Sequence, residues 1–144
     1  MWKMLTWIVI GLFVLLLVYI RLAPSDPQRW HRQAAVKGVE TRQLKGGYVW
    51  RKEIAGDGAG QMEAMEKVIL ATPRTQKLAG SIEEGQVTYV TRSLAFGFPD
   101  YTTVSVIDAG ANKHLEVYGR LRFGRSDFGV NAKRIKGWIA AAQL

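Results

Sequence analysis

Alternation is the clearest pattern in the chain, and it is strongest near the C-terminus. From His114 to Phe123, Leu115, Val117, Leu121 and Phe123 fall on one side together with Gly119, while His114, Glu116, Tyr118, Arg120 and Arg122 fall on the other. A period of two is the pleat of a half-buried strand; helical spacing would scatter both sets around an axis. The aliphatic side is expected to be buried and the arginines to stay in solvent. Gly124 and Gly129 bracket a turn, and Ser126 and Asp127 offer N-cap oxygens. The period then becomes helical: a helix over Phe128–Ala142 puts Phe128, Ile135, Trp138, Ile139 and Ala142 on one face, with Lys133, Lys136 and Gly137 opposite. Asn131 falls on the apolar face. Left without partners it costs on the order of 1–3 kcal/mol, so a bond to the backbone or to Asp127 is expected.

The same two periods order the middle of the chain. Tyr48–Ile54 reads as a strand, and Gln61–Ala71 as a helix with Met62, Met65, Val68 and Ile69 on one face. A methionine stripe of this kind serves either as core or as an adaptable binding surface. Thr72-Pro73 stops the helix. Arg74–Ile82, Gln86–Phe96, Tyr101–Ile107 and His114–Phe123 then read as four strands joined by short turns, which makes them an antiparallel meander. The order strand, helix, four strands, helix predicts an α+β domain in two layers. Its antiparallel sheet should have about four to five strands, with both helices on one face.

The N-terminus is different. Met4–Leu22 is an apolar run whose only charge is Arg21 at its end, with Trp2, Trp7 and Tyr19 near the two ends. Nineteen residues at about 1.5 Å each reach about 28 Å, close to a hydrocarbon core of about 30 Å. A cleavable signal peptide is the rival reading. The apolar run is longer than a signal core, and no small-x-small site follows it cleanly, which favours a retained single-pass helix. Ala23–His31 contains Pro24 and Pro27 and reads as an extended linker. Its Trp30 either docks on the domain or lies at the membrane interface. Residues 34–47 show no strong period. The expected organisation is therefore an anchor over 1–22, a linker over 23–47 and a domain over 48–144. Orientation is pulled two ways. The basic residues after the helix favour a cytoplasmic domain, whereas a short N-terminal tail favours an exported one. Gly56–Gly60 lacks the lysine and the strand-to-helix setting of a phosphate loop and reads as a turn.

Composition narrows the chemistry. The 144 residues hold one domain once the anchor is set aside. The absence of cysteine removes disulfides, thiolate nucleophiles and cysteine-ligated zinc. The net charge of +8 is concentrated: residues 21–59 carry eight basic and four acidic side chains, and residues 113–144 carry seven and two. Anionic lipid, nucleic acid or an acidic protein face could answer such charge, although a solvated surface accounts for most of it.

Three stretches carry a family resemblance: Pro73–Thr75, Tyr89–Tyr101 (YVTRSLAFGFPDY) and Arg120–Trp138 (RLRFGRSDFGVNAKRIKGW). They resemble the bacterial DUF1499 family, a domain of unknown function, over roughly residues 60–142. The linker APSDPQRWH resembles that of its short, membrane-anchored members. Many relatives carry a cysteine-containing segment before the domain, and any role tied to those cysteines is absent here. The resemblance implies a bacterial envelope setting and names no reaction. The inner (cytoplasmic) membrane, with the domain on its periplasmic side, is the expected location.

The best candidate site is an anion pocket. Arg120, Arg122 and Arg125 lead through Ser126 and Asp127 into a helix N-terminus, with Asn131 in its first turn and Arg92 on a preceding strand. Unpaired helix amides and guanidinium forks both suit phosphate or carboxylate. The competing arrangement needs no ligand: Asp127 fills the cap, and Asp100 and Glu116 pair with arginines. Enzymatic readings are thinner. His31 and His114 are too scattered for a metal pair, and Ser93 and Ser126 lack a base. Asp100 and Asp127 could work as paired carboxylates only within several ångströms of each other. Arginines and aromatics alternate over Tyr118–Phe128, as in nucleic-acid binders, but Phe123 belongs to the buried side and a membrane tether argues against that role. The expected function is a membrane-anchored binding domain for an anionic ligand or an envelope partner protein. The alternative is an envelope enzyme of unknown reaction using Asp100 and Asp127. No cofactor or metal is expected.

Overall fold

The computed structural model describes residues 1–144. It opens with α1 (Trp2–Leu22), an apolar helix long enough to cross a membrane, whose single buried residue is Ile20. A helical turn, α2 (Pro27–Trp30), follows. The domain then runs β1 (Arg42–Leu44), β2 (Gly47–Ile54), α3 (Ala59–Leu70), β3 (Thr75–Ser81), β4 (Gln86–Arg92), β5 (Pro99–Ala109), β6 (Asn112–Leu121) and α4 (Val130–Ala141). The fold is α+β. Its six strands form one antiparallel sheet in the order β1-β2-β6-β5-β4-β3. The β3–β6 meander is as expected, and β2 closes onto β6. The sixth strand is β1, which pairs with β2 through a tight hairpin at Lys45-Gly46. That hairpin uses residues expected to be linker, so the sheet exceeds the predicted four to five strands.

One face of the sheet packs against α3 and α4. Met62, Met65 and Ile69 of α3 and Ile135, Trp138 and Ile139 of α4 meet Val87, Tyr89, Val104, Leu115 and Val117 in one buried core. The methionine stripe is core. Trp138 Nε1 donates to Thr72 Oγ1 at 2.8 Å, tying the end of α4 to the end of α3. Gly119 of β6 faces the first turns of α4. A Cβ there would lie 2.8 Å from Asn131 Oδ1 and 2.9 Å from Ile135 Cδ1, so only glycine lets the helix lie this close.

The second face is covered as well, by the segment between α1 and β1. Trp30 is buried and stacks on Tyr101 of β5, with Val90 beside it. His31 Nδ1 bonds Thr88 Oγ1 (2.9 Å), Thr88 bonds Thr103 (2.8 Å), and Thr103 Oγ1 accepts from Arg120 Nη1 (2.8 Å). Residues 23–47 are thus not a free tether: they carry one helical turn, an edge strand and the lid of the polar sheet face.

Several element ends differ from expectation, and two of them have a local cause. The strand predicted to reach Phe96 stops at Arg92, because the chain closes a tight loop from Ser93 to Phe98. Ser93 N donates to the Phe98 carbonyl, and Phe98 N donates to Ser93 Oγ, both at 3.0 Å. The last helix begins at Val130 rather than Phe128. Phe128 sits at φ 49°, in the left-handed region, and its ring is 93% exposed instead of lying on the apolar face.

Candidate functional site

The seven residues expected to form an anion pocket fall on both faces of the sheet. Ser126, Asp127 and Asn131 lie at the N-terminal end of α4. Asp127 Oδ1 accepts from Gly129 N (3.1 Å) and Oδ2 from Asn131 N (3.0 Å), and Ser126 Oγ accepts from Phe128 N (3.3 Å). A carboxylate thus already occupies the helix amides where an anion would bind. Asn131 Oδ1 accepts from Arg134 (3.2 Å), while its buried Nδ2 has no partner. Arg125 is exposed in the turn. Arg120 lies across the sheet from α4, for a reason of parity: Gly119 faces the helix, so its neighbour must face away.

The expectation of solvent-exposed arginines on β6 fails for Arg120, which is only 5% exposed. Its Nη2 donates to the Trp30 carbonyl, and its Nη1 to Thr103 Oγ1 and to the Tyr118 carbonyl (3.0 Å). Burial lowers its pKa to about 10, against opposing attraction from Tyr118. Arg122 Nη1 donates to the Pro24 carbonyl (2.9 Å) and to Tyr101 Oη (3.1 Å). Arg92 Nη1 donates to the carbonyls of Ile20 (3.3 Å) and Gly97 (3.0 Å). Further along the face, Arg51 forms a buried pair with Glu116 at 2.6 Å and donates to the Val36 carbonyl (2.8 Å), while Glu116 Oε1 accepts from Ala34 N (2.9 Å). Four sheet arginines therefore hold four backbone carbonyls between Ile20 and Val36. The covering segment has no strand ladder of its own at these points, so its carbonyls need donors from elsewhere. That need is the signal that could have located the clamp: a strand rich in arginine beside an aperiodic segment carrying one tryptophan.

The same arrangement brings Arg92 into a cleft of about 360 Å³ that the sequence did not indicate. Arg21 from the end of α1, Arg74 and Arg92 line it, with Thr75, Gln76 and Ser93. Arg74 adopts φ 57°, an uncommon conformation for a non-glycine residue. Its Nε donates to the Arg92 carbonyl (3.0 Å) and its own carbonyl accepts from Arg92 N (2.9 Å), which locks the two residues together. None of the three guanidinium groups has a carboxylate partner: the ion pairs of the chain are Arg51–Glu116, Lys77–Glu66 and Arg134–Asp100. Three concentrated positive charges with donors to spare suit phosphate or carboxylate.

The catalytic candidates are occupied elsewhere. Asp100 accepts from Arg134 at 3.1 Å. Burial raises its pKa, Arg134 pulls it back down, and nearby Asp127 adds a smaller upward push. The two carboxylates do share a neighbourhood, but each already holds structural hydrogen bonds. Ser93 Oγ caps its own loop, and His114 is buried on the polar sheet face.

The fold and the cleft define a small α+β domain clamped to the end of an apolar helix. A family model described as protein of unknown function (DUF1499) matches residues 20–141, and the chain belongs to that family. The match starts at the residue whose carbonyl Arg92 holds, so the family unit includes the clamped segment. No curated protein matches the chain.

Proposed function

We propose that this chain is a single-pass protein of the bacterial inner membrane whose periplasmic domain binds an anionic group in the cleft between Arg21, Arg74 and Arg92. The observation that carries this reading is that three arginines line one concave site, none of them paired with a carboxylate and with no acidic residue in the lining. Retention of the helix is supported by its joint with the domain. Ile20 and Ala23 are buried, and the Ile20 and Pro24 carbonyls accept from Arg92 and Arg122, so the end of the apolar run is part of the folded unit. A core-helix role does not suit α1, because only 6% of its apolar window is buried.

Titration calorimetry of the full chain in mild detergent with inorganic phosphate tests the cleft. Arg74→Asn is the informative variant, since asparagine tolerates the left-handed backbone. Loss of one charge-assisted contact should weaken phosphate binding about tenfold. Equal affinity in the two proteins would refute the assignment.

A further inference from the structure

The loop between β4 and β5 is built against the usual logic of a solvent-facing turn. Leu94 is 77% exposed, and Phe96 and Phe98 are exposed beside it. The loop's backbone is held by the Ser93–Phe98 bonds and by Gly97 N donating to the Ser93 carbonyl at 3.2 Å. These apolar side chains therefore face outward from a fixed platform. A turn meant for water carries glycine and small polar residues instead.

What lies next to the loop identifies what covers it. Arg21 of α1 donates to the Ala95 carbonyl at 3.1 Å. Tyr19 of α1 meets Phe123 edge-on with centroids 6.2 Å apart, Phe123 meets Phe98 at 6.2 Å, and Phe98 meets Phe96 at 5.8 Å. One apolar strip thus runs from the last turns of the helix onto the domain without a break. The 21 residues of α1 span roughly 32 Å at the α-helical rise, about the thickness of a hydrocarbon core. When α1 crosses a bilayer, Tyr19 to Leu22 lie at its boundary, and the loop touching them lies at the same depth. Aromatic side chains concentrate at that depth, with basic groups level with the headgroups. Arg21 and Arg92 flank the loop, and Arg122 lies over the Phe123 ring at 5.1 Å.

We infer that the Ser93–Phe98 loop, with Phe123, is a second membrane contact that seats Leu94, Phe96 and Phe98 in the bilayer interface beside α1. This rests on α1 spanning the membrane and adds that the domain itself enters the lipid boundary.

The chain has no cysteine, so single cysteines report cleanly. The full chain is reconstituted in vesicles of phosphatidylethanolamine and phosphatidylglycerol as Leu94→Cys, Leu12→Cys or Ala111→Cys, each carrying an environment-sensitive fluorophore. Ala111 lies in the turn at the far end of β5 and serves as the water reference. The expected result is blue-shifted emission, quenched by lipids bearing a nitroxide near the headgroup, at residue 94. Residue 12 should be quenched by nitroxides deep in the chains, and residue 111 by neither. Water-like emission at residue 94 with residue 12 in lipid would overturn the second contact alone. Water-like emission at both would overturn the span and the contact together.

Discussion

Trp30 lies flat on Tyr101, with ring centroids 4.1 Å apart and planes within 14° of parallel. This contact joins the segment after α1 to the middle of the sheet, and the Trp30 carbonyl binds Arg120 from the same position. Removing the indole leaves a cavity against Val90 and Tyr101 and an arginine whose buried partner is free to leave. Trp30→Ala should lower unfolding stability by about 3 kcal/mol. Urea unfolding of the full chain in mild detergent, followed by circular dichroism, checks this.

The Arg51–Glu116 pair is almost wholly enclosed, with side-chain exposures of 2% and 1%. Either partner alone is a buried charge, and Glu116 also holds Ala34 N while Arg51 holds the Val36 carbonyl. Arg51→Met should cost about 3–5 kcal/mol, and so should Glu116→Leu. The double variant should cost clearly less than the sum, because no uncompensated charge remains. A double-mutant cycle of urea midpoints measures the coupling.

Asp100 provides a pH signature. Burial raises its folded pKa above the unfolded value of about 3.9. Between those two values the folded state binds more protons than the unfolded one, so this carboxyl's contribution to stability falls as pH rises and then levels off. Asp100→Asn keeps an oxygen for Arg134 and cannot titrate. Its stability curve should lack the decline that the parent shows on the acid side, upward from about pH 4. Thermal unfolding at a series of pH values compares the two.

The helix-facing half of the domain was readable because apolar periodicity reports apolar burial. Leu115 and Val117 are buried as the alternation of β6 requires, and Met62, Met65 and Ile69 meet them from α3. The other half was hidden for the same reason. Arg120, Thr88, Thr103 and Glu116 are buried without being apolar: the segment above bonds Arg120, Thr88 and Glu116, and Thr103 bonds Thr88 and Arg120. A polar side of a strand ordinarily faces water in an antiparallel sheet, so nothing in the pattern separates a solvated arginine from one gripping a carbonyl. Phe128 is a smaller case of the same kind. Its spacing suits the apolar face of α4, but the Asp127 cap sets the chain in a left-handed turn that throws the ring outward. The arginine cleft was invisible because its members come from three distant places in the chain, and no periodicity links Arg21 and Arg74 to Arg92.

Arg92, Arg122 and Arg120 grip Ile20, Pro24 and Trp30 in turn. Those grips run without a gap from the end of α1 to the centre of the sheet. Such a joint is a clasp and not a leash. Tilt or twist of the helix is handed straight to β4, β5 and β6, and the domain keeps a set heading relative to the helix instead of swinging. Force applied along the helix loads several bonds in parallel, so the two parts move as one body until the clasp as a whole gives way.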